Sequence, residues 1–127
     1  MIKLIEIKKL KNHEKTDQKN LLKVKQLIFK NKYFTNPIIV DRKTLVILDG
    51  HHRTEILKIL GYKKIPALLV DYNDKRIKVF SRRSRIKINK QKIIKRALTK
   101  KLFPYKTSKH LIPNRPANLK IKLTKLV

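Results

Sequence analysis

Apolar positions recur along this chain in two rhythms, and the switches between them mark out its elements. Residues 2–10 alternate in part, with Leu4, Ile5 and Ile7 apolar, which predicts a first strand. Lys11-Asn12-His13-Glu14-Lys15 is polar and reads as a loop. Thr16 or Asp17 then supplies the N-cap of a helix running to about Asn31, with Leu21, Val24, Leu27 and Ile28 on its buried face. Asn36-Pro37 breaks the helical rhythm and starts the strand Ile38-Ile39-Val40. Asp41-Arg42-Lys43 turns the chain into a second strand, Thr44 to Leu48, so the two form a β-hairpin.

A helix follows Asp49-Gly50, placing Ile56, Leu57 and Leu60 inward and ending at Gly61, a suitable C′ residue. Lys64 to Tyr72 reads as a strand whose Pro66 sits near its start, and Ile77, Val79 and Phe80 suggest another short one. Ser81 to Lys87 is a basic connector. Asn89 can cap a third helix with Ile93, Ile94, Ala97 and Leu98 on one face, stopped by Leu102-Phe103-Pro104. Leu119 to Leu123 alternates well and predicts a terminal strand. This order of elements makes residues 1–127 one mixed α+β domain, a size that holds a single core.

Composition narrows the function classes. No apolar run approaches the roughly 20 residues that span a bilayer, so no membrane is expected. Met1 leads into an amphipathic Ile/Leu/Lys strand, unlike a secretory signal. The absence of cysteine excludes disulfides, thiolate zinc sites and cysteine catalysis, and suits a cytoplasmic protein. With 35 Lys+Arg against 8 Asp+Glu, the net charge of +27 attracts polyanions, whether nucleic acid, nucleotides or phosphorylated metabolites. A lysine-rich surface of thermophilic type explains the same number, as the single Met and two glycines hint. Charge alone therefore does not choose between a nucleic-acid binder and a nucleotide enzyme.

Chemistry is most concentrated at Leu48-Asp49-Gly50-His51-His52-Arg53. A strand, a glycine turn and a helix N-terminus together form an anion site, because free N–H groups and the positive end of the helix dipole face the same point. An Asp at a helix start is explained by capping alone. Two histidines and an arginine on the first turn are not, since cations there oppose the dipole unless an anion lies between them. A metal site made by His51 and His52 is disfavoured, because adjacent helical residues point in different directions. Glu14 reads as an ordinary surface glutamate unless its loop packs beside the Gly50 turn. In that case it becomes a candidate general base or metal-linked carboxylate. Lys106-Thr107-Ser108-Lys109-His110 fits an exposed loop as well as a phosphate contact.

Pro37-Ile38-Ile39-Val40, the hairpin, Leu48 to Arg53, the helix ending at Gly61, and Ile65-Pro66 together resemble the ParB/sulfiredoxin superfamily, in which a Gly-x-x-Arg turn holds nucleotide phosphates. The Asp-Gly-His-His-Arg form, with Leu102-Phe103-Pro104 and Lys106 to His110, resembles its archaeal free-serine kinases. The match covers roughly residues 4–72 and 90–116. The resemblance implies a small mixed sheet with helices packed around it, and transfer of a phosphoryl group from ADP, or from ATP in relatives, to L-serine with Mg²⁺. It implies Glu14 as the base on the serine hydroxyl, Asp49 at the reacting centre, and Gly50, His51, His52 and Arg53 as the phosphate turn. Lys106, Thr107, Ser108, Lys109 and His110 would grip the substrate and its phosphate. Ser108 and Lys109 replace the Thr and Arg expected there, and lysine gives no bidentate phosphate fork. Sulfiredoxin chemistry needs a cysteine and is excluded. The alternative is a ParB-like nucleotide-dependent DNA-binding protein or nuclease. The charge favours it, while the lack of a separate helix-turn-helix segment opposes it.

Overall fold

A computed structural model describes residues 2–127, and Met1 lies outside the described residues. The elements follow in the order β1 (Ile2–Glu6), α1 (Gln18–Asn31), β2 (Tyr33–Phe34), β3 (Ile38–Asp41), β4 (Ile47–Asp49), α2 (His51–Ile59), β5 (Lys64–Val70), β6 (Lys78–Ser81), α3 (Lys90–Thr99), β7 (Ser108–Leu111) and β8 (Ile121–Lys122). The main sheet has the order β1-β5-β3-β4, with β3 and β5 parallel and the other two pairs antiparallel. Two further ribbons, β2-β8 and β6-β7, are antiparallel.

Both faces of the main sheet are covered. Ile38 and Val40 join the core with Leu21, Ile28, Ile56 and Leu57 from α1 and α2. Ile39 points to the opposite face, where Ile93 and Ala97 of α3 and Phe103 pack. Alternation along β3 thus feeds two cores, which is why the strand reads as continuously apolar.

Several expected boundaries shift, each for a local reason. The first strand stops at Glu6, and Ile7–Lys9 winds into a 3-10 turn that buries Ile7. In α1, Leu21 and Ile28 are buried but Leu27 is 58% exposed. At about 100° per residue, Leu27 falls roughly 120° from Leu21 around the helix, off the packed stripe. The hairpin strand begins at Ile47 rather than Thr44, because Asp41 Oδ2 holds the Thr44 hydroxyl at 2.6 Å in the turn and Leu45 takes a positive φ. In α3, Ile93 and Ala97 are buried while Leu98 is exposed. The Asn89 side chain caps α3 as expected, accepting from Lys92 N–H at 2.8 Å. The terminal strand is only Ile121–Lys122, after which a 3-10 turn, Leu123–Leu126, buries Leu126. No helix among the described residues is long and apolar enough to cross a membrane.

Candidate active site

The turn after β4 is built around one residue. Gly50 has φ +112°, and a Cβ there would lie 2.3 Å from Ile38 Cγ2, so both the backbone conformation and the packing require glycine. Gly50 is also the N-cap of α2 and brings no side chain to satisfy the first-turn N–H groups. The helix start is left open to an anionic ligand.

The polar loop before α1 packs beside this turn. Lys11 N–H donates to Leu45 C=O at 3.0 Å and Ile47 N–H to Lys11 C=O at 2.8 Å, fastening the loop to β4. On its other side Phe103 N–H donates to His13 C=O and Lys15 N–H to Phe103 C=O, both at 2.8 Å. Glu14 is thereby fixed between the Gly50 turn and β7. Its Oε1 accepts from Ser108 N–H at 2.6 Å and from the Ser108 hydroxyl at 2.7 Å. His13, with no exposed surface, sits behind them, its Nδ1 2.7 Å from Ile47 C=O and its Nε2 2.9 Å from Ser108 Oγ. Burial raises the Glu14 carboxyl, but hydrogen bonds to His13 and Ser108 and the nearby His51 outweigh it and bring its pKa down to about 2. Glu14 is ionised.

The charge on the turn differs from the sequence expectation. Burial, and then the neighbouring His13, push His51 down to a pKa of about 3, so it is neutral rather than cationic. Its Nε2 accepts the His13 backbone N–H at 3.1 Å, tying α2 to the Glu14 loop. His52 turns the other way, its Nε2 2.9 Å from Asp17 Oδ1. Asp17 is the N-cap of α1, but its carboxylate goes to His52 and Asn20 instead of the helix N–H groups. Arg53 donates to the Asn36 and Pro37 carbonyls and to Asp49 Oδ2, the last at 3.4 Å. Arg115 also donates to Asp49 Oδ2. Burial raises the Asp49 carboxyl, yet Arg53 and Arg115 prevail and hold it below the ordinary carboxylate range.

The stretch 106–110 is divided by strand alternation. Lys106 and Ser108 line the cleft, and Lys109 lies on the exposed face of β7. Thr107 is buried and its hydroxyl donates to Pro104 C=O at 2.6 Å, closing a turn. His110 is buried on the Ser108 side of the strand, its Nε2 2.8 Å from the Tyr72 hydroxyl. Burial, and then His13, lower its pKa to about 3. Thr107, Lys109 and His110 therefore do not reach the cleft wall.

The cleft itself encloses about 210 Å³ between Glu14, Asp49, the 50–53 turn, Arg82, Lys106 and Ser108. That is below the roughly 300–1,000 Å³ of a pocket enclosing a whole drug-sized ligand. It is sized for the reacting end of a substrate. Ligand atoms of His13, Glu14 and His51 lie within 4.8 Å of one another, as a metal site would require. Both ring nitrogens of His13 and Nε2 of His51 are already committed to hydrogen bonds, which tie the three residues into one polar network. Sequence reasoning missed His13, Asp17, Arg82 and Arg115. The scarcity of acids was the one available signal, since an acid as rare as Asp17 in so basic a chain invites a search for its partner.

No family model matches the chain. In sequence it is 54% identical to a ParB-like protein of Sulfolobus acidocaldarius over 43 residues, 34% of this chain and 22% of that protein. It is 36% identical to an ATP-dependent L-serine kinase of Desulfurococcus mucosus over 80 residues, 60% of this chain and 31% of that protein. The chain spans between about a fifth and a third of the length of the curated relatives it matches. Among solved structures, a free serine kinase in complex with AMP superposes with a TM-score of 0.91 at 16% identity, covering 99% of this chain and 93% of that one. The chain has the fold of that kinase, and its sequence is similar to ParB-like proteins and L-serine kinases.

Proposed function

We propose that this cleft transfers a phosphoryl group from ADP or ATP to the hydroxyl of free L-serine, forming O-phospho-L-serine. The observation that carries the reading is the juxtaposition of an ionised glutamate with an open helix N-terminus in one small cleft. Phosphoryl transfer needs positioning and charge neutralisation more than covalent help. The Gly50 turn offers N–H donors to the donor phosphates, and Arg53, Arg82 and Lys106 supply the positive charge that neutral His51 does not. Glu14 orients the acceptor hydroxyl. A pKa of about 2 makes it a weak proton acceptor, which suffices for a loose transition state in which the proton leaves late.

Magnesium takes oxygen ligands. Among the described residues lining the cleft, Glu14 and Asp49 are the carboxylates, and Asp49 is engaged by Arg53 and Arg115. These residues fit an ion carried mainly on the donor phosphates, with the Glu14 carboxylate beside it. When bound, the ion neutralises phosphate charge. The lack of cysteine supports a cytoplasmic setting.

The test is incubation with Mg²⁺, L-serine and either ADP or ATP, followed by detection of phosphoserine by mass or phosphorus NMR. Phosphoserine is expected with at least one donor. Its absence with both, alongside tight salt-dependent DNA binding, would replace this reading with the ParB-like one that the charge of +27 favours.

A further inference from the structure

The proposed acceptor is a primary alcohol, and the cleft already contains one. Among the described residues lining it, Ser108 carries the only hydroxyl. Two hydroxyls close by are occupied with backbone carbonyls, Thr107 with Pro104 and Thr54 with Gly50. Ser108 Oγ lies 2.7 Å from Glu14 Oε1, inside the roughly 2.6–3.2 Å over which a base can take a proton. His13 Nε2, 2.9 Å from the same Oγ, holds the hydroxyl in place from behind. A nucleophile in contact with a base, with a third group orienting the pair, is the arrangement that activates side-chain hydroxyls. Ser108 is only partly buried, and it shares the cleft with the Gly50 turn, Arg53, Arg82 and Lys106.

We propose that Ser108 is a self-phosphorylation site of this protein. Ser108 Oγ attacks the terminal phosphorus of the nucleotide held at the Gly50 turn. The Oγ–P bond forms as the bridging P–O bond breaks. Its electron pair leaves with the nucleotide, as AMP from ADP or ADP from ATP, and the hydroxyl proton passes to Glu14 Oε1. This inference takes the donor site from the proposed function and adds an acceptor that belongs to the chain. The phosphate, bearing about −1.5 to −2 charges, removes the hydroxyl hydrogen bond to Glu14 and repels its carboxylate. Arg82 and Lys106 face it from the cleft wall.

The experiment uses the full chain with Mg²⁺ and either ATP labelled at the γ-phosphorus or ADP labelled at the β-phosphorus, without L-serine. Intact mass and peptide sequencing locate the label. One acid-stable phosphoryl group on Ser108 is expected, lost in Ser108→Ala and in Glu14→Gln and retained in Ser108→Thr. Thermal melts of each variant separate loss of labelling from loss of folding. Label on another residue, or label unchanged in Ser108→Ala, overturns the proposal. So does an unlabelled protein that converts free L-serine to phosphoserine in a parallel reaction, which leaves the kinase reading standing. A labelled Ser108 with no phosphoserine does the reverse. Neither product with either donor overturns both.

Discussion

Glu14 and Gly50 serve the site by different physical means, and each can be tested alone. Glu14 acts through its charge and position, so Glu14→Ala is expected to abolish phosphoserine formation while nucleotide binding, measured by calorimetry, is mostly kept. Loss of binding with normal turnover of the bound fraction would remove Glu14 from the acceptor half. Gly50 acts through its missing side chain. Gly50→Ala sets a methyl 2.3 Å from Ile38 Cγ2 on a backbone at φ +112°. Strain of this kind costs about 1–3 kcal/mol, and the helix start cannot keep its place. A lowered urea midpoint together with weakened nucleotide binding is expected. A variant with wild-type stability and affinity would show that the turn tolerates a side chain and is not shaped by it.

At the scale of elements, the position of the cleft depends on segments that look unimportant in isolation. The 11–15 loop has no regular structure, yet its backbone bonds to β4 and Phe103 carry Glu14 to the turn. The short β6-β7 ribbon delivers Ser108 to Glu14 across 94 residues of chain. The final 3-10 turn closes the core beneath α2 and β5 through Leu126, whose C=O accepts Lys63 N–H at 2.9 Å. Leu126→Ala should therefore cost about 2–5 kcal/mol in a denaturant titration, as for other large-to-small core changes. Leu27→Ala, on the outer side of α1, should change stability by less than about 0.5 kcal/mol. Equal effects from the two would contradict this assignment of faces.

Across the whole molecule, buried ionisable groups tie stability to pH. His51 and His110 have folded pKa values of about 3, against an ordinary value of 6.5. Between those values the unfolded chain binds more protons than the folded one, so stability falls as pH falls from about 6.5 toward 3. Glu14 acts in the same direction at lower pH, since its folded pKa of about 2 lies below its ordinary 4.5. Its contribution is complete above 4.5 and lost as pH drops through 2. Urea midpoints are expected to be steady above pH 7 and to decline steeply from pH 6 to 4, with a shallower decline in His51→Asn. A midpoint that stays constant from pH 7 to 4 would show that these histidines are not buried as neutral rings.

What the sequence determined by itself was local. The strand, glycine and helix of the anion turn, the Asn89 cap and most helix and strand identities depend on residues within a few positions of one another, where periodicity and backbone preference act directly. Leu27, Thr44 and the short β8 departed from that reading because the extent of a buried face or a strand is set by the partner it meets. Only the tertiary structure decided how the cleft is charged and which distant residues join it. His51 reads as a cation beside its neighbours in sequence, but burial against His13 makes it neutral. The positive charge comes instead from Arg53, Arg82 and Lys106, and the acidic partner of Arg115 is Asp49, 66 residues away. Desolvation and long-range pairing depend on what surrounds a side chain in space, which spacing along the chain does not encode.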